Sequence, residues 1–179
     1  MKLGEDIVFP AHEFAMPGDR GSEFENVALP HAASLLRYAR HLAGERGRAE
    51  DLVQEALLSA WRNFQQFEPG TNCKAWLFRI LTNLHYRQMR RSGQRPEVRV
   101  EEQEASLAAP EKVSASQEMR EAFARLTSEH QEVLHLAVIE GFEIREIADL
   151  LQVPQGTVMS RLSRARASLR AALTRGGSL

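Results

Sequence analysis

The chain has 179 residues, 43% of them hydrophobic, and its single cysteine excludes an internal disulfide and a cysteine-rich zinc site. This length allows one domain or two small ones with real cores. The formal net charge of −1 conceals two basic islands: residues 74–99 carry +6 and residues 155–175 carry +5, so the remainder carries −12. Such a distribution favours local contacts with nucleic acid and a different partner elsewhere.

No apolar run reaches the length of a transmembrane helix, and the N-terminus lacks the basic start and apolar core of a signal peptide. Together with the low cysteine content, these features predict a cytoplasmic protein. Residues 1–23 contain scattered proline and glycine without a sustained period, which predicts a flexible N-terminal arm.

Apolar residues at three- and four-residue spacing then predict three helices, at residues 24–43, 48–64 and 73–91. Glycines at positions 44 and 47 separate the first two, and the loop FEPGTN at residues 67–72 separates the last two. We expect these helices to form a first domain, residues 24–95.

Residues 96–116 are acidic and contain alanine, serine and Pro110, which predicts a flexible linker. A second helical domain, residues 117–179, begins with helices at 117–124 and 128–140. We expect Thr127 or Ser128 to cap the N-terminus of the helix at 128–140 and Gly141 to end it. No segment has the alternation of a strand, so the predicted fold class is all-α, with two small helical domains joined by a linker.

Two short helical patterns follow, separated by QVPQG at residues 152–156. Proline cannot continue the first helix but suits the first turn of the next. Apolar positions define the inward faces: Ile144, Ile147, Ala148 and Leu151, then Val158, Leu162, Ala165 and Leu169. The pair predicts a helix-turn-helix, whose second helix usually enters the DNA major groove.

Two stretches carry a resemblance to a known family. RAEDLVQEALLSAWRNFQQFEPGTNCKAWLFRILTNLHYRQMRR, residues 48–91, and LTSEHQEVLHLAVIEGFEIREIADLLQVPQGTVMSRLSRARASLR, residues 126–170, resemble regions 2 and 4 of the bacterial sigma-70 family. The resemblance is to its small two-domain members, the extracytoplasmic function (ECF) group. It implies a protein that binds core RNA polymerase and promoter DNA, melting the minus-ten element with region 2 and reading the minus-thirty-five element with region 4. It also implies a stress or envelope response under an anti-sigma protein.

The second predicted helix carries a polar face opposite its apolar stripe. The resemblance implies that this face docks on the clamp helices of the largest polymerase subunit, although an ordinary solvated helix face is the alternative. The predicted polymerase-binding residues are Asp51, Gln54, Glu55 and Leu58.

The loop after it and the third helix are the predicted minus-ten surface. By resemblance the loop captures a flipped base, whose unstacking is offset by new stacking and edge hydrogen bonds; a plain connector is the alternative. Asparagine can read a base edge and arginine can grip a phosphate or base, whereas Trp76 is either core or a wedge beside the separated strand. The predicted residues are Gly70, Thr71, Asn72, Lys74, Trp76, Asn83, Arg87, Arg90 and Arg91. His85 and Tyr86 stand where the family often has an aspartate, so base preference stays open.

The second helix of the pair is the predicted minus-thirty-five surface, because arginine pairs with guanine and a helix N-terminus near Gly156 can bind phosphate. Met159 and Ser163 stand where relatives often place larger or charged groups, which leaves the sequence read open. The predicted residues are Thr157, Ser160, Arg161, Ser163, Arg164 and Arg166.

Other classes of protein fit less well. The six histidines form no HxxxH or HExxH pair, and no glycine-rich phosphate loop or nucleophile grouping is evident. We therefore expect no enzyme, no cofactor, no metal and no small-molecule substrate. A conventional helix-turn-helix regulator acting without polymerase, and a sigma-like decoy that binds an anti-sigma protein but not DNA, remain the alternatives.

Overall fold

The computed structural model describes residues 18–93 and 115–176. All regular structure within these ranges is helical, which confirms the predicted all-α class. The chain divides into two compact units, Met1–Gly93 and Gln94–Leu179. Residues 1–17 of the predicted arm and residues 96–114 of the predicted linker lie outside the described residues. The described remainder of each is helical, because residues 18–23 begin the first helix of the first unit and residues 115–116 begin the first helix of the second.

The first unit contains four α-helices: α1 (Gly18–Ala28), α2 (Ala32–Ala43), α3 (Arg46–Arg62) and α4 (Cys73–Ser92). The prediction of one helix over residues 24–43 was wrong, because a 3-10 turn at Leu29–His31 interrupts it. Pro30 lies in that turn and has no N–H with which to extend an α-helical ladder. Gly44 ends α2 as predicted, in the left-handed conformation that glycine adopts without steric cost (φ 69°).

The core of this unit is formed by α2, α3 and α4. Its fully buried side chains include Leu35, Tyr38, Leu52, Leu57, Leu77, Phe78 and Leu81. At the centre, the Tyr38 and Phe78 rings stack with centroids 5.1 Å apart. A second group of rings, the aromatic cluster, lies at the C-terminal end of α3, where Phe24 packs edge-on against Trp61 and Phe64 at 5.1 and 5.2 Å. Phe67 and Trp76 complete the aromatic cluster.

The second unit contains α5 (Ala115–Ala124), α6 (Ser128–Leu134), α7 (Ile144–Leu151) and α8 (Gln155–Gly176). The predicted helix at residues 128–140 begins as expected but ends in a π-helical turn, His135–Ile139, where the Glu140 N–H donates to the carbonyl of His135 at 3.0 Å. The buried His135 and Glu140 side chains lie 3.4 Å apart beside this turn. Gly141, with φ 73°, follows the turn as the predicted stop.

The turn between α7 and α8 has its own local supports. The Glu143 N–H donates to the Glu146 carboxylate at 2.9 Å, and the two residues form a capping box at the start of α7. Gln152 ends α7 with φ 55°, a conformation that a side chain usually disfavours. The inward face of α7 differs from the prediction, because Ile147, Ala148 and Leu150 are buried whereas Ile144 is 39% exposed.

Gln131 joins two helices of this unit. Its side chain is fully buried, and its Nε2 donates to the carbonyls of Phe123 at 3.0 Å and Leu126 at 3.2 Å, where α5 ends. The amide gives the Leu126 carbonyl, beyond the end of α5, a donor, and it gives the Phe123 carbonyl a second donor beside the Leu126 N–H at 3.0 Å.

Replacing Gln131 with alanine should lower the free energy of unfolding of the second unit by about 1–3 kcal/mol, because it removes a buried donor that both carbonyls share. Hydrogen–deuterium exchange of α6 and α8 amides in the whole protein would measure the loss. Gln117→Ala removes an exposed amide that bonds to Glu121 within α5 and should cost less than about 0.5 kcal/mol. Equal protection in the two variants would contradict this role for Gln131.

Candidate functional site

The polar face of α3 lies where the sequence predicted. Asp51, Gln54 and Glu55 are exposed and Leu58 is half-buried, while the opposite side of the helix is buried in the core. The Gln88 amide of α4 donates to Glu55 Oε2 at 2.8 Å, which fixes the carboxylate at the junction of the two helices. The result is a polar surface on rigid backbone with a half-buried leucine, a combination that suits a protein partner.

The loop before α4 is held by its own side chains. The Thr71 backbone N–H and hydroxyl both donate to the Glu68 carbonyl, at 3.2 and 2.7 Å. The Asn72 Oδ1 accepts from the Ala75 N–H at 3.1 Å and so caps α4. Gly70 adopts φ 84°, which requires a residue without a Cβ if strain is to be avoided. All three predicted loop residues are exposed, but Thr71 and Asn72 also shape the loop that presents them.

Trp76 and Lys74 lie where the loop meets the core. The Trp76 ring is 5.1 Å from Phe67 and remains partly exposed, so it forms the outer edge of the aromatic cluster. The Lys74 ammonium lies 5.5 Å from the centre of the Phe78 ring, within range of a cation–π contact.

The exposed side of α4 carries a basic track. Asn83 is partly exposed, and Arg87, Arg90 and Arg91 are exposed along the following two turns. Asn83 and Arg87 are four residues apart and therefore share a face. These four residues present one amide and three guanidinium groups to solvent, which suits a nucleic-acid strand.

His85 lies on the buried side of the same helix. Burial, with a smaller contribution from the nearby Arg48 charge, lowers its pKa from 6.5 to about 4. The folded protein therefore holds a neutral imidazole at pH values where the unfolded chain binds a proton. His85 contributes its full stability above pH 6.5, and that contribution is lost as the pH falls towards 4.

We expect the His85 contribution to fall by up to roughly 3 kcal/mol across this pH window. Urea unfolding followed by tryptophan fluorescence would measure it, since both tryptophans lie in the first unit. The His85→Gln variant should show a flatter dependence between pH 6.5 and 5, above most carboxylate titration. His130→Gln, in the second unit, should behave as the wild type, and an unchanged slope in His85→Gln would count against the neutral histidine.

The predicted minus-thirty-five residues lie on two flanks of α8. Thr157, Ser160, Arg161 and Arg164 follow one flank at helical spacing, and the Ser160 hydroxyl donates to the Thr157 carbonyl at 2.9 Å. Arg161 is only 20% exposed, and its guanidinium lies 3.0 Å from the Glu129 carboxylate of α6. The sequence did not indicate this ion pair, because its partners are 32 positions apart.

Ser163 and Arg166 lie on the other flank and line an open groove of about 830 Å³ between α8 and the start of α7. Phe142, Ile144, Met159 and Leu162 give the groove apolar surface, and Arg145 and Arg170 add charge. The prediction did not include Arg145, took Arg170 as a phosphate contact or a surface charge without placing it in the site, and assigned Ile144 to the core. The sequence held one signal of this groove, which was Met159, an apolar residue among polar neighbours.

Within the described ranges, no three histidine, cysteine or acidic side chains are grouped to hold a metal ion. No helix in the same ranges combines the length and apolar character needed to cross a membrane.

Comparison with known proteins identifies the two units. The sigma-70 region 2 model matches residues 28–95, and the sigma-70 region 4 model matches residues 116–169. The ECF RNA polymerase sigma factor EcfG of Rhodopseudomonas palustris is 38% identical over 155 residues, covering 81% of this chain and 82% of the relative. SigL of Mycobacterium tuberculosis, also an ECF sigma factor, is 34% identical over 149 residues, covering 80% and 84%.

Among solved structures, the sigma factor RpoE of Bartonella quintana, in complex with the anti-sigma factor NepR, aligns with a TM-score of 0.68 and 32% identity, covering 86% of this chain and 98% of that one. These matches define the class of protein as RNA polymerase sigma factors. The chain belongs to the sigma-70 family, in its ECF group, which confirms the resemblance seen in the sequence.

Proposed function

We propose that this protein binds core RNA polymerase in the cytoplasm and directs it to promoters with two separated elements. The observation that carries the proposal is the division of two basic helical surfaces, α4 and α8, between separate compact units, with a polar α3 face beside the first. The functional domains would be residues 24–95 and 117–179, connected by residues 96–116.

Core polymerase would dock on the α3 face. Asp51, Gln54 and Glu55 supply hydrogen-bonding groups on rigid backbone, and Leu58 supplies an apolar anchor. The bond from Gln88 to Glu55 supports this role, because it orders the carboxylate before binding and so reduces the entropy lost on docking.

The minus-ten element would bind along the loop and α4. The turn held by Thr71 and capped by Asn72 would receive an unstacked base, while Gly70 and Lys74 border it. Trp76, at the edge of the aromatic cluster, offers a ring face for stacking. Further along α4, Asn83 would read a base edge, and Arg87, Arg90 and Arg91 would hold the phosphate backbone.

The minus-thirty-five element would bind α8. Thr157, Ser160 and Arg164 share a flank close to the N-terminus of the helix, where side chains of a helix-turn-helix reach base edges. Arg161 would contact phosphate from the position that Glu129 gives it. Ser163 and Arg166 would approach the duplex from the groove flank.

An anti-sigma protein would control this activity, in a stress or envelope response. The support is indirect: the Bartonella quintana relative was solved with the anti-sigma factor NepR bound. A protein that covers the α3 or α8 surface would block polymerase or promoter binding without altering either unit.

Run-off transcription with purified core polymerase on randomised promoter templates, with and without this protein, tests the function. Start-specific transcripts that require the protein would support it and would reveal both promoter elements. An Arg164→Ala variant should weaken promoter recognition by about 1–3 kcal/mol, and the loss should fall on the base that Arg164 contacts. Its matched control, Arg120→Ala, removes an exposed arginine of α5.

Two results would redirect the proposal. Duplex binding without protein-dependent transcripts would point to a conventional regulator. Binding of an anti-sigma protein without transcripts or DNA binding would point to the decoy.

A further inference from the structure

The proposed roles leave unexplained an apolar surface in the groove beside α8. Met159 is 56% exposed and Ile144 is 39% exposed, and both line the groove above the buried Phe142 and Leu162. Water contact with so much apolar surface is unfavourable, so an exposed methionine and isoleucine on one groove indicate a surface that is covered when the protein acts.

The position of Met159 selects among possible ligands. It is the fifth residue of α8, which begins at Gln155, and the first turns of the second helix in a helix-turn-helix face base edges in the major groove. Its exposed neighbours Ser160 and Ser163 have short side chains. Met159 therefore extends further from the helix than they do, and its flexible thioether can adapt to a curved surface.

The charge of the groove favours a nucleic acid among the possible ligands. Arg145, Arg166 and Arg170 line it, and the one acidic residue among the lining residues is Glu143, which belongs to the capping box of α7. A basic border around an apolar centre matches a duplex, whose phosphates flank base edges. Thymine is the base that presents a methyl group in the major groove, and apolar side chains read it by contact.

We propose that Met159 is a specificity-determining residue that packs against the 5-methyl group of a thymine in the minus-thirty-five element. Ile144 extends the apolar contact, and the groove arginines bind the adjacent phosphates. This inference rests on the proposed function, because it requires the second unit to read duplex DNA. It adds an apolar contact to a surface that is otherwise read by hydroxyl and guanidinium groups.

The test uses holoenzyme assembled from the full chain and core polymerase, on a promoter recovered from the randomised library. Each thymine of the upstream element is replaced in turn by deoxyuridine, which removes only the methyl group. We expect one replacement to weaken wild-type promoter binding roughly threefold to fourfold, the effect of one buried methyl group. Competition against the unmodified duplex measures the ratio.

Variants assign the effect to a side chain. Met159→Ala should bind thymine and uracil templates equally, whereas Met159→Leu should keep most of the discrimination. Alanine is the strongest helix former, so loss of the helix does not explain a change in Met159→Ala. Met119→Ala is the matched control, since Met119 is 46% exposed on α5 and lies outside the groove.

The outcomes are distinct. No dependence on any thymine methyl in the wild type, as expected if a protein segment fills the groove, would overturn this inference and leave the proposed function standing. Discrimination that persists in Met159→Ala would do the same. Failure of the wild-type holoenzyme to initiate on any template would overturn the proposed function and, with it, the thymine contact.

Discussion

Replacing Asp51 with lysine should weaken binding to core polymerase by about 2–5 kcal/mol, or at least 30-fold, while the first unit stays folded. Asp51 is exposed on the α3 face and takes no part in the core, so the change acts on the partner surface. A complementary basic partner would be met by a like charge, and one hydrogen-bond acceptor would be lost. Titration of labelled protein with core polymerase at two salt concentrations gives the affinity and its electrostatic share.

Glu25→Lys is the control for this experiment. It makes the same charge change at an exposed position of α1, a different helix of the same unit. We expect wild-type polymerase affinity from it. If Asp51→Lys and Glu25→Lys bind core polymerase equally well, the α3 face is an ordinary solvated surface.

A second large effect, on the free energy of unfolding, is expected from a substitution in the core of the first unit. Phe78 is fully buried, stacks on Tyr38 and lies beneath the Lys74 ammonium. Phe78→Ala should lower the free energy of unfolding of the first unit by about 3–5 kcal/mol, from lost apolar burial and the cavity left behind. Urea unfolding followed by tryptophan fluorescence reports on this unit, because Trp61 and Trp76 are the two tryptophans of the chain.

The same substitution in the other unit provides the comparison. Phe142→Ala removes a buried ring from the second unit, so we expect little change in the tryptophan-detected transition and increased amide exchange in α7 and α8. A tryptophan-detected transition that moves equally in both variants would contradict separate stabilisation of the two units.

Local sequence determined most of the helices. The beginnings of α4 and α6 and the ends of α2 and α5 lie where apolar spacing and glycine predict them, and these signals act within a few residues. Thr127 precedes α6 as predicted but makes no side-chain capping bond, and α8 begins at Gln155, within the predicted turn. The missed interruption at Pro30 was also local, because a proline within a helical pattern predicts a break. The π-helical turn was not foreseen, because it requires five residues to pack in a wider turn beside the buried His135 and Glu140 side chains.

In the candidate site, too, local sequence predicted some features whereas others depend on tertiary packing. Sequence placed polar and basic residues on helices whose exposed faces carry them, as at Asp51 and Arg87. It could not show which of them are already engaged within the fold. The Arg161–Glu129 pair and the groove beside α8 depend on how α8 packs on α6 and α7, which helical spacing alone does not specify.

Cys73 makes the protein convenient to label. It is the one thiol of the chain, is buried in the first turn of α4, and has a pKa raised by that burial. Maleimide reagents react with the thiolate, so this residue should be slow to modify at neutral pH. A cysteine introduced at an exposed position, such as Ser168 of α8 or Gln65 after α3, would react first. One dye in each unit would then allow energy transfer to follow the protein as polymerase and promoter bind, without removal of the native thiol.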